Sequence, residues 1–388
     1  MHFIEDATAV ERTLIDRASQ ARSPINGSIE LTPICNMNCD MCYVRLTPAE
    51  VARQGRLRTV GEWLNIATKM RDAGTLFLLL TGGEPLTYPD FQQLYLGIQK
   101  LGMLLTINTN GTLIDEKWAD FFAEHKPRRI NITLYGPDAD TYEKLCHYRD
   151  GFDKTINAIR LLRERDIPVR VGISATPQNA PHIDRMMQII TDLDAAILVD
   201  TYMLPAVRER RLPFNQQSRL IPEEAAQIRI HALRKRLPPE QYVQFAMESV
   251  WAAHHIQPDP GPNKMRCLAG SCSFTVNWQG MMRPCVIMSQ PSASIPAMGF
   301  DAAWQYIRTE LDKVTLSSKC ASCRLRTLCQ TCAASAYLET GRFDGTPEYM
   351  CRYTAHCFRM LMQDVIAIKN AQEKNKASSD GAPAPEQA

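Results

Sequence analysis

The sequence predicts an α/β chain: a partial (β/α)6, TIM-like barrel followed by a small cysteine-rich module at the C-terminus. Three observations predict it. Six strand-like apolar runs alternate with helical patterns at intervals of about thirty residues, the spacing of a barrel unit. Short loops separate buried strands from helices, which suits a parallel sheet with helices outside it. Cysteine, 13 of 388 residues, gathers in a loop after the first strand and again beyond Cys267.

The strand-like runs are Ser28–Leu31, Leu76–Leu80, Leu104–Asn108, Ile130–Leu134, Val169–Ser174 and Ile197–Met203. The first intervening helix, Val60–Asp72, opens with a capping box, Thr59 with Glu62 three residues on. Further helices are expected near Asp90–Leu101, Asp115–Glu124, Asp138–Cys146 with Gly151–Arg163, and Ala180–Leu193. Six units instead of eight leave a barrel open at one side. A doubly wound open sheet is the competing arrangement, because strand order is not written in the sequence.

The organisation divides into five segments. Residues 1–27 form an N-terminal helical extension, with a polar helix from Ala7 to Ala21, and residues 28–204 the barrel. Residues 205–262 bridge to the next part, with a basic Arg208-Glu209-Arg210-Arg211 run read as a solvated face rather than an acid-binding site. They also hold a helix opened by Pro222, with Glu223 and Glu224 at its start and Lys235 and Arg236 at its end, as the helix dipole favours. Residues 263–360 are the cysteine-rich module, and 361–388 a helix end and a tail expected to be disordered from Lys374.

Composition is that of a globular protein, 45% hydrophobic and 22% charged with a net charge of +2, which argues against a nucleic-acid or membrane partner. The N-terminus lacks the pattern of a secretory signal and no apolar run is long enough to cross a bilayer, so a cytoplasmic location is expected. In that compartment many thiols point to metal ligation rather than disulfides.

The first strand runs into Cys35-x3-Cys39-x2-Cys42 and then Tyr43, a loop at the strand ends where barrel active sites collect. Three thiolates can hold a cubane cluster and leave its fourth iron open for a small molecule. Zinc would want a fourth ligand nearby, and the nearest histidines in sequence are His2 and His125. The second strand ends in Gly82-Gly83-Glu84, whose glycines let backbone approach a ligand closely. The third ends in Asn108-Thr109-Asn110-Gly111.

This loop and these turns resemble the radical S-adenosylmethionine (SAM) superfamily. The resemblance implies a [4Fe–4S] cluster on Cys35, Cys39 and Cys42 that binds and reductively cleaves SAM to a 5′-deoxyadenosyl radical. It also implies that Gly82, Gly83 and Glu84 meet the SAM amino group. Thr133 and Arg149 would meet its ribose or carboxylate, and Tyr43 would lie near adenine. As plain residues, Thr133 is a strand threonine and Arg149 a surface cation.

The later cysteines run Cys267-x4-Cys272, Gly280-x4-Cys285, Cys320-x2-Cys323-x5-Cys329-x2-Cys332, then Cys351 and Cys357. The pattern resembles the SPASM domain, which implies two auxiliary [4Fe–4S] clusters. One would use Cys267, Cys272, Cys285 and Cys332, with Cys357 the substitute for Cys332 because the last short spacing is x2 where the family has x3. The other would use Cys320, Cys323, Cys329 and Cys351. Two structural zinc sites are the plainer reading of these eight thiols. Cys146 is left over, either a hydrogen donor or radical relay or a small buried apolar residue.

The resemblance implies an oxidoreductase-type enzyme that abstracts hydrogen from a residue of a ribosomally made peptide or protein. Crosslinking, epimerisation and oxidation are the outcomes known in the group. A separate peptide-recognition protein and an electron donor such as flavodoxin or ferredoxin are the other implied partners. A cofactor-pathway enzyme acting on a tetrapyrrole or small metabolite, and a non-catalytic iron–sulfur or zinc scaffold, are the alternatives.

Overall fold

The computed structural model describes residues 8–204, 218–256 and 263–380, with side chains of the last helix to residue 372. Helix α1 (Ala9–Ala21) precedes a βα series. In chain order come β1 (Asn26–Glu30), α2 (Pro48–Gln54), α3 (Val60–Asp72), β2 (Phe77–Thr81), α4 (Phe91–Lys100), β3 (Leu104–Thr109) and α5 (Glu116–Glu124). Then follow β4 (Arg129–Leu134), α6 (Ala139–Cys146), α7 (Gly151–Glu164), β5 (Val169–Ser174), α8 (Ile183–Asp192) and β6 (Ala196–Asp200).

The six strands are parallel and stand in chain order, β6-β5-β4-β3-β2-β1, so each strand pairs with the next one made. A doubly wound sheet must reverse direction at a switch point. This one does not, which leaves the open partial barrel. Along β4, Ile130, Ile132 and Leu134 enter the core while Arg129, Asn131 and Thr133 stay half-buried on the other face, as a two-residue period requires. On that inner face Asn131 Nδ2 donates to Asn108 Oδ1 at 2.7 Å. The outer face packs on helix residues such as Trp63, Tyr95, Phe122 and Leu162, all fully buried.

Helix α2 is an element the sequence reading passed over, although Thr47, Pro48 and Glu50 spell a capping box with proline at the first position. The chain then continues through α9 (Pro222–Arg236) and α10 (Pro239–His255) to three short strands, β7 (Ser273–Val276), β8 (Met281–Arg283) and β9 (Ala293–Ser294). These extend the barrel sheet: β7 lies parallel to β1, opposite β2, and β7-β8-β9 form an antiparallel meander. Helices α11 (Phe300–Asp312), α12 (Ala333–Thr340) and α13 (Glu348–Asp380) complete the chain.

Two expectations need restating. Residues 374–380, read as tail, continue α13, and the remainder of that tail lies outside the described residues. The Arg208–Arg211 run also lies outside them.

Helix α1 is pinned to the barrel by Glu11. Arg128 Nε donates to Glu11 Oε1 at 2.7 Å, the guanidinium lies 5.7 Å from the Phe77 ring centre, and Glu11 Oε2 accepts from Thr8 N. The Arg128 bond holds the Glu11 carboxyl below its ordinary pKa. A carboxyl with a lowered folded pKa stabilises the fold above its unfolded pKa and loses that contribution as pH falls through the folded one. Glu11→Gln should therefore melt below wild type at pH 7. The gap should close as the pH drops below the carboxylate range, measured by thermal denaturation across pH.

Candidate active site

The loop after β1 has no regular structure, so its backbone groups need other partners. Helix α6 supplies them: Asn38 N donates to Cys146 O and Asp40 N to Leu145 O, both at 3.0 Å. His147 Nε2 lies 2.8 Å from Asp40 Oδ1. Cys35 and Cys42 are half-buried and Cys39 is buried. Cys35 Sγ accepts from Met37 N at 3.4 Å, and Cys42 Sγ from Arg45 N at 3.3 Å.

The turn after β2 presses against the same loop. Gly83 N donates to Thr32 O at 2.6 Å and Glu84 N to Ile34 O at 2.9 Å. A Cβ on Gly82, whose φ is +154°, would strike Thr32 O, and one on Gly83 would strike Ile34 O. Only glycine permits this approach. Glu84 is fully buried and accepts from Leu86 N (3.1 Å), Thr109 Oγ1 (2.7 Å) and Asn110 N (2.8 Å). Burial pushes its carboxyl up to about 7 against the pull of those three donors. Asn110 in turn donates through Nδ2 to Asn36 Oδ1 at 2.9 Å, 3.8 Å from Cys35 Sγ.

Burial pushes the Cys35 thiol up to about 12, with Glu84, Cys39 and Cys42 adding to it. Such a thiol becomes a ligand only beside a cation that favours its thiolate. Among the described residues no three His, Cys, Asp or Glu side chains converge on a single-ion site. Thiolates of a cubane bind separate irons and need no common point. The three thiols, their N–H donors and the glycine approach fit an iron–sulfur cluster with a small ligand beside it.

The C-terminal thiols fall into two groups of electrostatic neighbours. Cys267 adjoins Cys332 and Cys272, and Cys285 adjoins Cys332 and Cys267. Cys351 adjoins Cys320, Cys329 and Cys323. Cys357, almost fully buried, neighbours Cys329 and Arg229 instead of the first group. Met288 N donates to Cys285 Sγ and Ser335 N to Cys332 Sγ, both at 3.4 Å.

The remaining candidates are placed unevenly. Tyr43 is half-buried just after Cys42, and Thr133 is half-buried on the inner face opposite Gly172 of β5. Arg149 points to solvent, paired with Asp140 at 2.8 Å with both side chains more than half exposed, and is not brought to the loop. Cys146 has no exposed surface and its thiol lies against Cys39. Tyr135 has its hydroxyl among the same thiols, where burial raises its pKa.

A radical SAM superfamily model matches residues 29–190, the span from β1 to α8 that carries this loop and these turns. The chain carries a radical SAM domain. Among curated proteins it is similar to an AdoMet-dependent heme synthase of Methanosarcina barkeri, 24% identical over 81% of this chain and 92% of that protein. It is also similar to a PqqA peptide cyclase of Bradyrhizobium diazoefficiens, 21% identical over 82% of this chain and 83% of that protein. SuiB of Streptococcus suis with bound S-adenosylmethionine superposes with a TM-score of 0.63 at 16% identity, over 88% of this chain and 81% of its own. Likewise anSMEcpe with bound AdoMet gives 0.63 at 16%, over 90% and 96%. These two share the fold.

Within the radical SAM domain, sequence reasoning missed Asn36, Asn110 and Thr112, which form one network: Asn36 Nδ2 donates to Thr112 Oγ1 at 2.8 Å, and Thr112 N to Asn110 Oδ1 at 2.9 Å. The Asn-Thr-Asn-Gly turn was the available signal, but which atoms its side chains would meet was not. Glu84→Gln puts an amide N–H₂ among three donors. It should lower the melting temperature by about 5 °C, read by calorimetry of wild type and variant at pH 7.

Proposed function

We propose that this radical SAM enzyme holds three [4Fe–4S] clusters and abstracts hydrogen from a residue of a peptide or protein substrate. The observation that carries it is the sorting of the thiols: three in the loop beside Gly82-Gly83-Glu84, and eight in two neighbouring groups of four. Cys35, Cys39 and Cys42 would hold the first cluster. Cys267, Cys272, Cys285 and Cys332 would hold the second, and Cys320, Cys323, Cys329 and Cys351 the third. When bound, the first cluster and SAM supply a 5′-deoxyadenosyl radical.

This chain's own residues do the positioning. The backbone of Gly82 and Gly83 leaves room beside the cysteine loop for the SAM amino group, and Thr133 offers a hydroxyl on the inner face of β4. Glu84, buried and accepting from three donors, shapes the turn. Closed ligation of the second and third clusters suits electron transfer rather than substrate binding. A peptide is favoured because relatives of this layout include PqqA peptide cyclase, and SuiB and anSMEcpe have each been seen with a peptide bound. The similarity to heme synthase over 92% of that protein supports a second reading, a tetrapyrrole substrate.

Anaerobic reconstitution should give about twelve iron atoms per chain and reductant-dependent 5′-deoxyadenosine. Its absence from a loaded, reduced sample would sink the enzyme reading. Cys35→Ala should abolish SAM cleavage, whereas Cys320→Ala should retain part of it and lose product. Cys332→Ala should drop the iron to about eight and Cys357→Ala leave it near twelve. Mass spectrometry after incubation with a co-encoded peptide or with an iron tetrapyrrole separates the two substrate classes: a crosslink removes two hydrogens from the peptide, and an unchanged peptide beside a changed tetrapyrrole decides for the second.

A further inference from the structure

Tyr135, the residue after β4, brings to the cysteine loop a phenol outside the sets assigned to the clusters and to SAM. Its backbone is held at both ends. Tyr135 N donates to Tyr142 Oη of α6 at 3.2 Å, and Tyr135 O accepts from Asn179 Nδ2 at 2.9 Å. Asn179 is itself fixed: fully buried, it donates to Ser174 O at 3.0 Å and accepts from Thr176 N at 2.8 Å. The Tyr135 ring packs edge-on against Tyr142, with centres 6.0 Å apart and planes at 84°. None of these contacts uses the Tyr135 hydroxyl. That group lies among the thiols of Cys39, Cys146, Cys35 and Cys42.

Helix α6 also sets the loop, because Cys146 O and Leu145 O accept from Asn38 N and Asp40 N. Phenol and ligand thiols therefore share one frame. Burial raises the pKa of the phenol, so at neutral pH it keeps its proton and is a donor. The best acceptor in that company is a thiolate, since a hydrogen bond to an ionised group is about twice as strong as one between neutral groups. Cys39 leads the thiols that act on the phenol, and its side chain is buried. Cys146 is no such acceptor, because burial and the neighbouring Cys39 oppose its ionisation.

We propose that the Tyr135 hydroxyl donates a hydrogen bond to the Cys39 thiolate when the first cluster is bound, and so raises the reduction potential of that cluster. The inference rests on reading Cys35, Cys39 and Cys42 as cluster ligands. Reduction adds one electron to the cluster, and no bond forms or breaks. A donor on a ligand sulfur stabilises the reduced, more negative form over the oxidised one. The low dielectric of a buried site strengthens the effect. Tyr135 is thus a positioning residue that acts through Cys39.

The test uses iron-loaded full-length protein and follows the EPR signal that changes when SAM is added, which marks the first cluster, through a potentiometric titration with dithionite. Tyr135→Phe should favour the oxidised form about fivefold at a fixed potential, a fall in midpoint of about 40 mV. Replacing Tyr135 by 3-fluorotyrosine, a more acidic donor, should move the midpoint the other way. Tyr95→Phe removes another buried hydroxyl, on α4 and bonded to His125 O at 2.7 Å, and should leave the midpoint unchanged. A midpoint unmoved by Tyr135→Phe, or moved as far by Tyr95→Phe, overturns the assignment. A shift of the same sign in both residue-135 variants makes the effect one of packing and also overturns it. If the Phe variant loads less iron than wild type, the fluorinated protein, which keeps the hydroxyl, carries the comparison. Wild type without a SAM-responsive signal overturns the cluster reading and this inference together, whereas a SAM-responsive signal indifferent to residue 135 overturns this inference alone.

Discussion

The site depends on one buried carboxylate. Glu84 has no solvent contact, and a carboxylate so placed is costly unless its oxygens are matched by donors. Leu86, Thr109 and Asn110 match them, and the backbone of Gly83 and Glu84 is tied to Thr32 and Ile34. One residue thereby fixes the ends of β1, β2 and β3 on a common rim. The glycines before it are bound by the same requirement, because a side chain at either would drive the β1 loop away and break the bonds that place Glu84.

From this clamp the order spreads to the thiols. Asn110 takes its position from Glu84 and passes it to Asn36 beside Cys35. On the far side of the loop, the end of α6 accepts two backbone N–H groups and His147 pairs with Asp40. A loop without helix or strand is thus held from two directions before any ligand arrives, which is the condition for a ligand set to be geometrically definite. Burial opposes ionisation of the Cys35 thiol here and of Cys285 in the C-terminal module. Ligation and ionisation are therefore one event at these positions, driven by the cation and not by water.

Much of this was legible from local pattern. β5 and α3 run over the residues their periodicity and capping box mark, because each is decided by neighbours a few positions away. The meander β7-β8-β9 escaped because its strands are two to four residues long and its principal partner, β1, lies far off in the chain. The Gly280 turn, with φ of +79° and Asn277 Oδ1 capping Gln279 N and Met281 N, was the sign of it. Cys332 and Cys357 could not be separated by spacing alone. On α13 six residues turn Cys357 about 120° from Cys351, and its side chain is buried. Arg149 shows the opposite limit, since its place in the chain is near the loop while its side chain leaves for Asp140.

The cysteine-rich module must also keep a fixed place against the open side of the barrel, and an ion pair at the junction shows how. Arg219 and Glu339 meet at 2.7 Å with little exposure, from the segment before α9 and from α12. Tyr202, just past β6, donates to the same carboxylate at 2.6 Å, and the guanidinium lies 3.4 Å from the centre of the Tyr349 ring. Buried pairs add little net stability, but breaking one leaves a charge without a partner, a cost of about 3–5 kcal/mol. Apolar packing alone would tolerate a slide of the module along β6. A charge that is satisfied in one register does not. Because Tyr202 also neighbours Cys332, the residue that caps α12, the register that satisfies Glu339 also fixes the start of α12 beside the end of β6.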